Sequence, residues 1–222
     1  MPPPRRRARS DQDKEARKTA LLTAARELAA ERGVREVTLT EVTSRVGLHP
    51  SALRRYFESR EELLLELAER GWADWRSRLL ADLAGLGGHR PSPVEVAEVV
   101  AGSLDALPLF CDLQTHVGLS LEGAVRLERA RAYKTAASEA FDAMTAALAE
   151  TGAGLDAEGA RTLLTAAMSC AAYLYQLSRP SPTLRRLYDE VPRWAHSALR
   201  FREQLTTLLR AVALGAAKPP VT

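Results

Sequence analysis

The stretch Val46–Phe57, VGLHPSALRRYF, decides the fold. Gly47 offers a tight turn, and Pro50 suits the first turn of a helix because its missing N–H would have no helical partner there. Leu53 and Phe57 are four residues apart and share one buried face. At about 100° per residue, Ser51 and Arg55 point directly away from that face, with Ala52, Arg54 and Tyr56 on its flanks. The helix is very short, anchored by two apolar side chains, small at its outward start and cationic further on. That profile suits insertion into a major groove. Small residues let the helix end approach, and arginine bonds guanine O6 and N7 in bidentate fashion. The competing reading is a surface helix whose arginines are only solvated. Charge alone favours that reading; the neighbouring signals turn against it.

Working outward, Thr38 and Glu41 have capping-box spacing and open a helix that carries Leu39, Val42 and Val46 inward as far as Gly47. Before it, a first helix is expected over residues 13–31. Leu21, Leu22, Ala25, Leu28 and Ala29 fall on one face, and Gly33 ends it. After the short helix, Ser59 caps a long one, with Glu61 and Glu62 in the first turn where negative charge suits the dipole. Three helices with a Gly turn between the last two fit a helix-turn-helix. Arg54, Tyr56 and Arg60 are placed to meet phosphates, and the helix starts at Thr38 and Pro50 each favour a nearby phosphate.

The rest of the chain is helical throughout. It has 222 residues, 46% of them hydrophobic but only 5% aromatic, so Leu, Ala and Val must build the core. GLGGHRPSP (85–93) is the clearest break. Beyond it, helices are expected near 94–107, 109–119, 124–150, 157–178 and 192–214, with a short one over 183–190. The fold class read here is all-α: a small three-helix head on a larger helical body. Residues 1–18 hold seven basic groups against three acidic ones, a local excess of four in a chain of net charge +3. A basic arm on a near-neutral body suits a polyanion partner, although a solvated tail has the same composition. Cys111 and Cys170 lie in apolar surroundings without metal-ligand spacing. With no signal-peptide run and no long apolar span, a cytoplasmic location and no membrane partner are expected.

At this point a family resemblance becomes plain. From about Leu22 to Trp72 the chain resembles the DNA-binding domain of the TetR family of bacterial transcriptional repressors. The matching positions are Ala24, Ala25, Leu28, Gly33, Thr38, Val42, Gly47, Leu53, Tyr56, Phe57, Ser59, Glu61, Glu62 and Leu63. Three positions depart from the pattern: Thr43 replaces a small residue, His49 the usual cap serine, and Ala52-Leu53-Arg54 the usual Thr-Leu-Tyr. The resemblance implies that Thr40, Pro50, Ser51, Arg54 and Arg55 lie in or beside the groove. Thr38, Tyr56 and Arg60 would hold phosphate, and the arm would add affinity regardless of sequence. The departures mean that the operator cannot be borrowed from a relative.

The resemblance also implies a ligand-sensing, dimerising body. The expected division is a disordered basic arm over 1–12, the helix-turn-helix over 13–60, the ligand-binding and dimerisation domain over 61–215, and a flexible tail over 216–222. Sequence supports a homodimer independently: TLLTAAMSCAAYLYQL (162–177) is apolar on nearly every face. Leu163, Ala166, Ala167, Ala171, Leu174, Leu205, Leu208, Leu209 and Val212 are the interface candidates, unless they are core of the monomer. Trp72, Trp75, Phe110, Cys111, His116, Tyr133, Phe141, Met144, Met168 and Tyr173 are candidates to line a pocket for a small apolar or amphipathic ligand; core packing is the plainer reading of each. No cofactor is expected. Catalysis finds no support in the spacing of His49, His89, His116 and His196, nor in any Gly-x-Ser-x-Gly elbow or phosphate-cradling loop. The expected function is a ligand-responsive, homodimeric repressor on double-stranded palindromic DNA. An activator or a ligand-independent regulator is the alternative, and a protein-interaction module or an enzyme is the remote one.

Overall fold

A computed structural model describes residues 5–87, 89–196 and 199–218. Among the described residues there are ten α-helices and no strand. The head comprises α1 (Arg5–Arg32), a 3₁₀ turn (Val34–Glu36), α2 (Leu39–Arg45) and α3 (Pro50–Leu53). The body follows with α4 (Arg60–Ala84), α5 (Pro93–Asp105), α6 (Pro108–His116), α7 (Leu127–Glu150), α8 (Ala157–Leu177), α9 (Pro182–Glu190) and α10 (Phe201–Ala216). A π turn (Val117–Leu121) and a 3₁₀ turn (Glu122–Ala124) lead from α6 toward α7, and another 3₁₀ turn (Pro192–Trp194) follows α9.

The helix starts follow capping chemistry. Thr38 Oγ1 accepts the Glu41 N–H, and its hydroxyl donates to Glu41 Oε2 at 2.7 Å. Ser59 accepts the Glu62 N–H at the head of α4. The full reciprocal capping box lies at Ser92 and Glu95 on α5, where hydrogen bonds from the Ser92 N–H and hydroxyl, with a further one from His89, pull the Glu95 carboxyl down to about 2. Gly33 ends α1 at φ 90° and Gly47 makes the α2–α3 turn at φ 66°, a region that costs side chains with a Cβ.

α4 joins the two parts. It packs on α1 at its head end and on α5, α6 and α7 along the body, while α10 packs against α5 and α8, and α6 and α7 against α8. One continuous apolar core runs from Leu21 and Phe57 through Trp75 to Leu209.

Three expectations about boundaries are corrected. α1 begins at Arg5, well before residue 13, so most of the expected disordered arm of residues 1–12 continues the helix, and residues 1–4 lie outside the described residues. The last helix starts at Phe201 rather than 192, because the chain first makes a 3₁₀ turn at Pro192. The start of the expected flexible tail is held: the Lys218 N–H donates to the Gly154 carbonyl at 2.9 Å and its ammonium pairs with Asp156. Residues 219–222 lie outside the described residues.

Candidate nucleic-acid interface

α3 is bound to the head by Leu53 and Phe57, each 1% exposed. Its other side faces solvent: Pro50, Ser51, Arg54 and Arg55 are exposed, and Ala52 and Tyr56 are half-buried. His49 caps it. The Ser51 N–H donates to His49 Nδ1 at 3.3 Å, and Ser51 Oγ lies 2.8 Å from the same nitrogen. An imidazole thus does the work of the missing cap serine. Thr43, a second departure, is fully buried, and its hydroxyl donates to the Leu39 and Thr40 carbonyls. In the third, Ala52-Leu53-Arg54, Leu53 is buried and Arg54 exposed, so the head absorbs all three without opening its core.

Cations group around this face. Lys14 and Arg17 on α1 line one surface hollow with Arg55 and Tyr56. Arg17 also borders the α2–α3 turn at Val46, Gly47 and Leu48. Thr38 and Thr40 are exposed at the start of α2. Other basic groups of the head are held internally. Lys18 pairs with Glu66 at 2.7 Å and lies over the Phe57 ring, and Arg45 pairs with Glu31 at 2.7 Å. Arg60, expected at a phosphate, is one of these. Its Nε donates to the Val37 carbonyl at 2.6 Å, and Nη2 donates to the Val34 and Arg35 carbonyls at 2.7 and 3.0 Å. Its guanidinium therefore secures the 3₁₀ turn of the head and has little left for a phosphate.

Head and body meet through buried polar groups. Asp112 on α6 is 7% exposed and takes the Val34 N–H at 2.8 Å through Oδ2. Its Oδ1 accepts from Gln176 on α8 at 2.8 Å, with His116 Nε2 at 3.6 Å. Burial pushes the Asp112 carboxyl up, but the nearby His116 imidazole and hydrogen bonds from Val34 and Gln176 outweigh it and hold the group below its ordinary range. A second link runs from Arg126, at the start of α7, to Glu58 just after α3 at 2.9 Å and to the buried Glu62 at 2.7 Å. Glu62 also accepts the Glu58 N–H at 2.6 Å. Neither Asp112, Gln176 nor the Arg126–Glu62 pair was singled out from sequence. Asp112 does leave a signal: it is the one polar residue in the otherwise apolar run PLFCDL (108–113).

The expected ligand-pocket residues separate into three groups. Trp72, Trp75 and Phe110 pack ring on ring at 5.4–5.7 Å between centroids, with Phe141 6.4 Å from Trp72. Trp72 Nε1 donates to the Tyr133 hydroxyl at 3.0 Å and Trp75 Nε1 to Ser103 at 2.9 Å. Met144 and Cys111 are buried, and burial pushes the Cys111 thiol up to about 12. These side chains touch one another between α4, α6 and α7, which corrects the expectation that they stand together around one open cavity; Phe110 also borders a groove between α1, α4 and the α5–α6 turn. His116 lies apart, at the head–body junction, in a hollow of about 210 Å³ with Val34, Arg35, Arg60 and Ser120. Met168 is half-buried, and Tyr173 is 66% exposed, on the outside of α8 rather than in any interior.

The dimer candidates are corrected in the same way. Leu163, Ala167, Ala171, Leu205 and Leu209 are at most 2% exposed, and Leu174 is also buried, because one face of each helix is used within the chain. Ala166 and Val212 are half-buried and Leu208 is exposed. The faces left outside are Thr162, Thr165, Ala166, Ser169 and Tyr173 on α8, and Thr207, Leu208, Ala211 and Gly215 on α10. They adjoin: Thr162 lines one hollow with Val212 and Gly215.

A helix-turn-helix head with an outward cationic α3, joined through one long helix to an all-helical body, defines a DNA-binding protein with a separate helical domain. Residues 21–67 match the family described as bacterial regulatory proteins, tetR family, and residues 69–220 match the tetracyclin repressor-like C-terminal domain. The chain belongs to the tetR family and is a DNA-binding transcriptional regulator. Among solved structures it is similar to Thermus thermophilus FadR, a repressor in complex with lauroyl-CoA. Identity is 22% over 92% of this chain and 98% of that one, with a TM-score of 0.55. It is also similar to PfmR, a regulator of the same family from Thermus thermophilus (17% identity, 89% and 99% covered, TM-score 0.54). Bacillus subtilis FadR in complex with stearoyl-CoA is a third (16%, 87% and 98%, TM-score 0.52). At these identities the likeness establishes the fold. A comparison with curated protein sequences finds no match. Among the described residues no helix is long and apolar enough to cross a membrane, and no group of three or more His, Cys, Asp or Glu side chains is placed to hold a metal.

Proposed function

We propose that this chain is a cytoplasmic, homodimeric repressor that binds a palindromic operator and is released from it by a small apolar or amphipathic ligand. The observation that carries the DNA part is α3: Leu53 and Phe57 buried beneath an exposed Ser51, Arg54 and Arg55. Ser51 and Arg55 read bases, Pro50 and Thr40 stand beside the groove, and Arg54, Tyr56 and Thr38 meet phosphates. Lys14 and Arg17 add sequence-independent affinity from α1. The adjoining outer faces of α8 and α10 favour a four-helix contact between two chains, with Ala166, Ala211 and Gly215 allowing close approach. Two α3 helices must then lie about 34–36 Å apart or a multiple of that.

The ligand's effect is a two-state equilibrium, and it works only through different affinity for the two states. Asp112 and Arg126 connect α6 and α7 to the head, so a shift of either helix moves α3 off its spacing. Acyl-CoA esters are the first effectors to try, since two proteins of similar fold hold lauroyl-CoA and stearoyl-CoA. The test is footprinting on DNA upstream of the protein's own coding region, then gel-shift titration with lauroyl-CoA and stearoyl-CoA. Release at micromolar ester supports the reading, and a protein that stays bound at saturating ester contradicts this choice of effector.

A further inference from the structure

A groove of about 370 Å³ separates the second half of α1 from α4 and the α5–α6 turn. Leu67, Leu109, Phe110 and Leu113 give it an apolar floor. Phe110 reaches that floor because Gly71 on α4 has no side chain. A Cβ at residue 71 would come within 2.4 Å of the Phe110 ring, whose far side packs on Trp72 and Trp75. At the rim Arg26 on α1 pairs with Asp74 on α4 at 3.0 Å, both substantially exposed. α6 begins here without a side-chain cap, Leu107 being its N-cap, so the positive end of its dipole faces the same rim.

We infer that this groove is a binding site for a small amphipathic anion, with its flat apolar body on Leu67, Leu109, Phe110 and Leu113 and its charge on Arg26. The volume falls within the range of small-molecule sites. Positive charge prevails at the rim, since Arg26 and the α6 terminus face one carboxylate, and an arriving anion displaces Asp74 from Arg26. The occupant touches α1 of the head and α6 of the body at once, so it changes how the head is held. The binding claim stands alone; only its effect on DNA rests on the ligand-responsive reading above.

The probe is 8-anilinonaphthalene-1-sulfonate, followed by its fluorescence on the full chain, with the uncharged N-phenyl-1-naphthylamine as partner. Binding of one sulfonate per chain is expected. Ala30→Trp and Ala106→Trp, which fill the groove from α1 and from the α5–α6 turn at exposed positions, weaken it at least ten-fold with melting temperature unchanged. Asp74→Asn frees Arg26 and tightens the sulfonate several-fold, and Arg26→Gln weakens it; neither alters the uncharged probe. Leu127→Ser, at an exposed position on α7, changes nothing. Failure of the sulfonate to bind, equal affinity across the filling variants, or loss only in Leu127→Ser overturns the site. Equal effects of the Arg26 and Asp74 variants on both probes overturn the anion. A sulfonate that binds in the groove without changing affinity for duplex DNA leaves the site standing and counts against the ligand-responsive reading instead.

Discussion

Asp112 on α6 accepts the backbone N–H of Val34 at 2.8 Å, across the boundary between body and head. Val34 belongs to the turn whose carbonyls Arg60 holds from the other side. The turn is thus fixed by its donor from the body and by its acceptors from α4. Asp112→Ala leaves the Val34 N–H buried without a partner and costs about 1–3 kcal/mol of stability, read as a lower urea midpoint. An unchanged midpoint would show that the bond contributes nothing.

Acid should loosen the same junction. The Asp112 carboxyl is held below its ordinary range, and so is that of Glu62, where burial opposes and the Arg126 and Glu58 hydrogen bonds prevail. A depressed group contributes stability that is full above its unfolded value, about 3.9 for Asp and 4.3 for Glu, and lost as pH falls through the lower folded value. Melting temperature should therefore drop as pH falls below about 4, and Asp112→Asn should flatten that fall. An equally steep fall in Asp112→Asn would place the acid sensitivity elsewhere.

Arg60 separates a structural role from a phosphate contact. Arg60→Ala removes three hydrogen bonds to head carbonyls, so the main effect is a lower melting temperature. A phosphate contact would instead lower the slope of log affinity against log salt by about 1 with stability unchanged.

Inside the body, Trp72 Nε1 depends on the Tyr133 hydroxyl at 3.0 Å, and Tyr133 is 3% exposed. Tyr133→Phe keeps the ring but orphans the indole N–H, at a cost of about 1–3 kcal/mol. Denaturant unfolding measures this, and a blue shift of tryptophan emission should accompany it. Wild-type stability in this variant would mean that the indole finds another partner.

The head is legible in the sequence because its signals are local. A cap at Thr38, a glycine at positive φ, a proline at N1 and an apolar pair four apart each act within one turn of chain. The cap on α3 is harder to read, because a histidine nitrogen there replaces a serine oxygen. The body is legible in outline only. TLLTAAMSCAAYLYQL is apolar on nearly every side, so periodicity cannot tell the face of α8 packed within the chain from the one left outside. Arg60 shows the same limit: its charge is plain, but its partners are carbonyls more than 20 residues away. The Asp112–Val34 bond spans 78 residues, which no local rule reaches.

The central claim is that the outer face of α3 enters duplex DNA. Fluorescence-anisotropy titration of wild type and Arg55→Ala, on a footprinted duplex and on a scrambled one, tests it directly. Arg55→Ala should lose about 1–3 kcal/mol on the footprinted duplex, with base choice relaxed, and little on the scrambled one. Equal loss on both duplexes, or wild-type protein that binds neither at low ionic strength, would contradict it.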